Sequence, residues 1–276
     1  MNRKHYPTDI TDVAWTVLKP LIPAVQPGGR PRFRNMREII NAIFYLQPAG
    51  CAWRLLPHEF PPWQTVYYYF RVWRIAGVWE AMLKTAREQV RQALGRVATP
   101  SAGIIDAQSV KTAEVGGRER GYDGGKKVKG RKRHLLVDPQ GSVLKAKVLA
   151  ANTADQEGAK QLLNNIHPQF PRLRHLWVDG GYRSTVVSWV KEQLGWTVQR
   201  VQHPNAGSHR RITMPDVEPA LIDRSFRVIP RRGVVERSFG WLGRYRRLSK
   251  DYEYLPETSE AFIYSTSLRT LLRRLA

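Results

Sequence analysis

The hydrophobic spacing of this chain changes once, at Ala98–Gly103 ("ATPSAG"), and that change limits the fold more than any other feature. Before it, apolar residues recur at helical spacing; after it, short apolar runs bounded by turn residues alternate with helical stretches. "TDITDVAWTVLKPLIP" reads as a helix capped by Thr8, with Ile10, Val13, Val17 and Leu21 on one face. "QPGGRPRFRN" breaks the pattern, and "MREIINAIFYL" resumes it through Met36, Ile39, Ile40, Ile43 and Phe44. A third helix is expected after Pro61 and Pro62, and a fourth in "VWEAMLKTAREQVRQALGRV". Beyond the boundary, "GIIDAQSV" and "LRHLWVDGGY" read as strands, and "TVQRVQ" is strand-like. "RKRHLLVDPQGSVLKAKVLAANTAD" reads as a hairpin around Pro139-Gln140-Gly141. "DQEGAKQLLNNI", "STVVSWVKEQL" and the closing "EAFIYSTSLRTLLRRL" read as helices, and the polar stretch from His203 to Asp223 as a loop. The expected organisation is an all-helical region over residues 1–97 followed by a mixed α/β region over 103–276.

Charge indicates the partner. Forty-five Lys and Arg against 23 Asp and Glu leave a formal +22, which calls for a polyanion. With 42% hydrophobic residues the chain can still bury a core. Cys51 is the single cysteine, so no disulfide forms within the chain, in keeping with a reducing compartment. The first residues hold no apolar signal core, and no run of about 18 apolar residues occurs, so a soluble intracellular protein with no membrane partner is expected. The seven histidines are scattered without zinc spacing, and no glycine-rich phosphate loop of the Walker type is present, so no nucleotide cofactor is expected.

Three carboxylates stand out. Asp106 follows Gly103-Ile104-Ile105 on an apolar strand, where a charge is costly unless it is paired or bound to a metal. It is either a buried acid satisfied by an arginine or Ser109, or a ligand. Asp179 closes "LWVD" and precedes two glycines, which make either a plain turn or a place where another backbone comes close. Both sit at strand ends, where α/β sheets tend to hold ligands. Glu236 is the one acid in "RRGVVERSFGWLGRYRR", among six arginines. On a helix it shares a face with Arg232, Gly240, Gly243 and Arg247, while Val235, Phe239 and Leu242 form the buried stripe. An exposed ion pair with Arg232 is the plain alternative to a metal ligand there. Three converging carboxylates would suit hard oxygen-seeking ions such as Mg²⁺, two of which serve phosphodiester chemistry.

Two further stretches bear on nucleic acid. From Lys111 to Arg133 the chain carries nine basic residues and three acids, either a solvated loop or a phosphate grip using Lys126, Lys127, Lys129, Arg131 and Lys132. In the helix after Pro62, Gln64, Thr65, Tyr68 and Arg71 form a face able to meet base edges in a major groove; simple packing of a small bundle is the alternative.

Taken together, "GCAWRLLPHEFPPWQTVYYYFRVW", "IIDAQSVKT" with "GYDGGKKVKGRKRHLLVD", "WVDGGY" and "PRRGVVERSFGWLGRYRRLSKDYE" resemble bacterial DDE transposases of the insertion-sequence five group, within the insertion-sequence four superfamily. The resemblance covers nearly the whole chain. It implies an RNase H-like catalytic fold, with Asp106, Asp179 and Glu236 as catalytic metal-binding acids and two Mg²⁺ or Mn²⁺ ions per site. It implies binding of terminal inverted repeats, cleavage of the element ends and strand transfer into target DNA. The working form would be a homodimer or higher oligomer on double-stranded DNA in the bacterial cytoplasm, associated with the nucleoid. Lys111, Arg237, Arg244 and Lys250 join Arg232 and Arg247 as expected DNA contacts. The chain departs from the superfamily's third block at Ile229, where Tyr is usual, and at Gly243, where Lys is usual, with Arg244 adjacent; Gly233 stands where Trp is common. Two other readings remain: a transposase-derived DNA-binding protein that no longer cuts, and an RNase H-like nuclease without strand transfer.

Overall fold

A computed structural model describes residues 3–24, 35–114, 116–182, 184–201 and 232–275. The expected loop at 203–223, most of the break at 26–35 and Ile229 lie outside these residues.

The helical region forms as expected, with one shift of phase. Helix α1 spans Asp12–Leu18, and Thr11 caps it by accepting the Ala14 N–H at 3.2 Å. The cap expected at Thr8 is therefore wrong. A turn closes ahead of it, from the Asp9 N–H to the Tyr6 carbonyl, and Arg3 clamps Asp9 at 2.8 Å. The later start rotates the buried face to Ile10, Ala14 and Leu18, leaving Val13 exposed. Helix α2, Met36–Ala49, is capped by Asn35 and stops at Gly50, whose φ of 68° is left-handed. A side chain at Gly50 would also meet Arg246 Cβ at 2.7 Å. Helix α3 spans Trp63–Ile75 behind Pro62, and α4 spans Val78–Ala93.

Strand β1, Ala102–Lys111, lies at the centre of one mixed sheet. On one side it pairs antiparallel with β3, Val128–Val137, through eight positions from Ile104↔Val137 to Lys111↔Gly130. Strand β3 turns at Gly141 (φ 84°) into β4, Val143–Ala150, as the hairpin reading expects, and also carries the short β2, Gly121–Asp123. On its other side β1 runs parallel to β5, His175–Asp179, which runs parallel to β6, Thr197–Val201. Helices α5 (Asp155–Leu163) and α6 (Ser184–Leu194) cover one face. Helix α7 (Arg232–Gly243), the short α8 (Arg246–Ser249) and α9 (Pro256–Leu275) complete the chain. Three long antiparallel strands with the short β2 at their edge, then two parallel ones, with helices on both faces, form the six-stranded RNase H-like sheet that the resemblance implies.

Strand alternation sorts the core into two clusters. Ile104, Leu135 and Val137 pack with the N-terminal helices, α7 and α9. Ile105, Leu136, Leu176 and Val178 pack with α5 and α6. The first cluster runs from Ile10 to Leu272, so the helical region shares its core with the sheet. Helix α9 is the link. It is buried for most of its length, and the Tyr264 hydroxyl both accepts from the Ala146 N–H (3.0 Å) and donates to the Ala146 carbonyl (3.1 Å). Helix α4 grips the same sheet through a buried ion pair, Arg91 to Asp138 at 2.7 Å, at the β3–β4 turn.

Candidate active site

The register of β1 and β5 brings two of the three acids together. Ile105 pairs with Val178, so one step further along the parallel strands sets Asp106 beside Asp179. Neighbouring strands lie about 4.8 Å apart, within reach of two carboxylates. By alternation both aspartates share a face with Ile104 and Trp177, which belong to the α7 side. A shallow cleft is lined by Asp106, Asp179, Trp177, Val201 and Val235. Backbone amides steady the acids: Ala107 N–H donates to Asp106 Oδ1 at 2.7 Å, and Gly181 N–H to Asp179 Oδ1 at 2.9 Å. Asp179 ends its strand and accepts from the turn after it, whereas Asp106, expected at a strand end, lies half-buried in the middle of β1, which runs on to Lys111 because its pairing with β3 continues past the acid.

Helix α7 carries the third acid over the same face. Val235, Phe239 and Leu242 are buried, as the stripe expected from sequence has them. Ser238 donates to the Gly141 carbonyl at 2.8 Å, which fixes the rotation of the helix against the hairpin turn. With Val235 in the cleft, Glu236 follows it on the exposed side. Gly240 and Gly243 are exposed, with open space where a side chain would lie. Among the described residues no group of three His, Cys, Asp or Glu side chains is arranged to hold a metal ion. The residues still suit a hard divalent cation in kind: two adjacent carboxylates, with no thiol or imidazole in the cleft.

Three of the expected phosphate contacts prove to be structural. Arg131 and Lys132 were placed in a basic loop, but β3 is covered on both faces from Gly130 onward. Arg131 is fully buried and donates to Asp251 (3.2 Å) and to the carbonyls of Arg118 (2.6 Å), Glu253 (2.8 Å) and Tyr254 (2.8 Å). Lys132 is held by Asp155 at 2.9 Å and the Thr153 carbonyl at 2.8 Å. Arg247 does not share the Glu236 face, because α7 stops at Gly243 and the chain turns before α8. It pairs with Glu253 at 2.6 Å, donates to the Cys51 carbonyl at 3.0 Å and lies over the Phe262 ring. The other basic candidates are placed differently. Lys111, Lys127, Lys129, Arg237, Arg244 and Lys250 are exposed, and Arg237 lies over Trp241; the Arg232 side chain lies outside the described residues. Lys126 is exposed too, but its ammonium donates to the Ala107 carbonyl at 3.0 Å, next to Asp106. On α3, Gln64, Tyr68 and Arg71 are exposed and Thr65 is half-buried, so the face expected from sequence is open.

Two polar groups near the acids have no equivalent in the sequence reading. Tyr182 is 1% exposed and sits three residues beyond Asp179. His134 on β3 is wholly buried under α5, where Gly158 leaves room for its ring. Burial, partly offset by Asp155, pushes the His134 pKa down to about 4. The native state therefore holds His134 neutral while the unfolded chain protonates it below about 6.5. The stability this contributes is present above pH 6.5 and is lost as the pH falls towards 4. Urea denaturation should show wild type losing roughly 3 kcal/mol more than His134→Gln across that window. Parallel pH profiles would contradict the burial argument. The signal for this site was available only as a histidine inside an apolar strand, since nothing in the spacing tells that α5 lands on it.

Comparison with known proteins places the chain. The family model described as a transposase DDE domain matches residues 98–271, and the chain belongs to that family. A second model, described as a putative transposase of the IS4/5 family, matches residues 10–83. A protein of Burkholderia cepacia, the insertion element IS402 uncharacterized 16.2 kDa protein, is 30% identical over 114 residues, covering 39% of this chain and 76% of that protein. No solved structure matches. Among the described residues no helix is long and apolar enough to cross a membrane.

Proposed function

We propose that this transposase binds the terminal inverted repeats of an insertion element, cleaves the element ends and transfers the strands into target DNA. Asp106, Asp179 and Glu236 are the catalytic acids in this reading. The observation that carries it is the parallel register setting Asp106 beside Asp179, with α7 over the same face, in a DDE-domain chain. The three carboxylates provide hard oxygen ligands for two Mg²⁺ or Mn²⁺ ions, which when bound supply activation of the attacking oxygen and stabilisation of the leaving one. The open surface at Gly240 and Gly243 lets a phosphate backbone approach Glu236 closely. Lys126, anchored on the Ala107 carbonyl, keeps a positive charge beside the acidic pair. Lys111, Lys127, Lys129, Arg232, Arg237, Arg244 and Lys250 hold phosphates without reading sequence. Gln64, Thr65, Tyr68 and Arg71 on α3 meet the base edges of the repeat. A homodimer or larger assembly on DNA, working in the bacterial cytoplasm at the nucleoid, holds two ends together.

Binding should be strongly salt-dependent. Replacing Lys127 and Lys129 together with Ala is expected to flatten the slope of log affinity against log salt by about 2, one phosphate contact per lysine. Fluorescence anisotropy with a labelled end duplex measures this, and an unchanged slope would remove these lysines from the interface.

One observation favours a protein that binds without cutting: no three-acid metal group stands among the described residues. A Mg²⁺- or Mn²⁺-dependent nicking assay on an inverted-repeat duplex separates the two readings. Nicking followed by joined products in a target plasmid supports transposition; nicking without joining points to a nuclease; binding with no nicking rejects the catalytic role of the acids.

A further inference from the structure

We propose that a cavity beside β4 is a separate anion site of this protein, in which Arg87 and Lys145 hold the phosphate group of a phosphate monoester. It shares no residue with the acidic cleft, so it stands or falls independently of the reading above.

The cavity, about 710 Å³, lies between α4 and α9 on one side and the segment after α5 on the other, along the edge strand β4. Arg87 of α4 lines it and is 2% exposed. Its Nη1 donates to the Val143 carbonyl at 2.9 Å, and its guanidinium carbon lies 5.2 Å from the centre of the Phe170 ring. Its Nε is buried with no partner among the described residues, and no carboxylate there pairs with it. The two acids whose charge acts on it most are already used. Asp138 pairs with Arg91 at 2.7 Å and accepts the Gln140 and Ser142 N–H groups, and Glu88 pairs with Lys84 at 2.9 Å. At the cavity itself Glu260 pairs with Lys147 at 3.3 Å and accepts the Val148 N–H at 2.9 Å, while Glu80 is exposed. Burial, partly offset by Asp138 and Glu88, pulls the Arg87 pKa down to about 10, which leaves it charged at neutral pH. A buried cation without a counter-charge is costly, and a bound anion removes that cost. Lys145 is the second cation: half-buried, it donates only to the Asn164 carbonyl, at 2.6 Å. Two cations without carboxylates match one doubly charged group, and a guanidinium fork fits two phosphate oxygens at once. The volume falls among small-molecule sites, roughly 300–1,000 Å³, so the organic part of an ester fits beside the phosphate.

Calorimetric titration of the full chain with inorganic phosphate, at an ionic strength fixed by sodium chloride, tests the site. Wild type should bind, and Arg87→Met should lose at least about 30-fold in affinity. The same variant should melt at the wild-type temperature or higher in phosphate-free buffer, since an apolar chain replaces an unpaired buried charge. Lys145→Met leaves Arg87 and its Val143 bond in place, and should weaken binding about tenfold even if Arg87→Met fails to fold. Competition then distinguishes two sources of the ester. Displacement of phosphate by a trinucleotide with a 5′ phosphate, but not by its 5′-hydroxyl form, supports the site as a holder of DNA strand ends. Displacement by phenyl phosphate alone supports it as a site for a small free ester. Binding of inorganic phosphate that neither competitor displaces overturns the monoester. No phosphate binding by wild type, or unchanged affinity in either variant, overturns the site and leaves Arg87 with the Val143 carbonyl as its whole role.

Discussion

Asp179→Asn is expected to lower metal-dependent nicking of an inverted-repeat duplex by at least about 10³-fold, equivalent to roughly 4 kcal/mol of transition-state stabilisation. Duplex affinity should stay the same or rise slightly. The substitution keeps the size of the side chain and an acceptor for the Gly181 N–H, so the turn after β5 has no reason to change. What it removes is a full negative charge beside Asp106. A neutral amide oxygen is a weak ligand for a hard cation, while removal of the charge lessens repulsion of the DNA backbone. Asp106→Asn and Glu236→Gln should behave alike, because the proposed centre uses all three acids. Single-turnover nicking in Mg²⁺ and in Mn²⁺, with anisotropy on the same duplex, gives both quantities. Wild-type-like cleavage by any of the three would reject that residue's assignment.

Arg131→Met is expected to destabilise the protein by about 3–5 kcal/mol, far more than the loss of a surface phosphate contact. Sequence places Arg131 in a run of basic residues, but its guanidinium is the hub that joins β3 to the segment between α8 and α9. It satisfies Asp251, itself buried and bonded to Ser259 at 2.7 Å and to the Glu253 N–H at 3.0 Å. The carbonyls of Arg118, Glu253 and Tyr254 converge on the same guanidinium. Methionine fills part of the space but leaves a buried carboxylate and several carbonyls without a donor. Chemical denaturation of the variant gives the size of the loss. A stable Arg131→Met protein with a reduced salt slope for DNA would restore the phosphate-contact reading and contradict the buried network.

These two residues also mark how far the sequence could be read. The places of Asp106 and Asp179 were legible because each ends an apolar run, and only the parallel pairing of those runs had to be supplied; their catalytic role is the proposal. Glu236 was legible through the stripe of Val235, Phe239 and Leu242, which the structure buries. The end of α7 was not. Helical spacing carries the Glu236 face on to Arg247, and no residue before Gly243 announces the stop, although Arg247 belongs to another helix with Glu253 as its partner. Arg131 and Lys132 were misread for a related reason. Charge in a run suggests solvent, but burial of both faces of β3 depends on α5, α9 and the 250–255 segment, all distant in sequence. The same distance hides His134, which becomes special only when Gly158 of α5 arrives on it. The shift from Thr8 to Thr11 as the first cap is local, but the clamp that decides it, Arg3 on Asp9 and Glu38, spans two elements.

The most direct measurement is anomalous scattering from crystals of the chain bound to its inverted-repeat duplex and soaked in Mn²⁺. Two peaks between Asp106 in the middle of β1 and Asp179 at the end of β5, each within about 2.2 Å of carboxylate oxygens, with Glu236 among the ligands, are the result expected of the acidic centre. Manganese bound elsewhere, or bound there with Glu236 turned away while DNA fills the cleft, would contradict it.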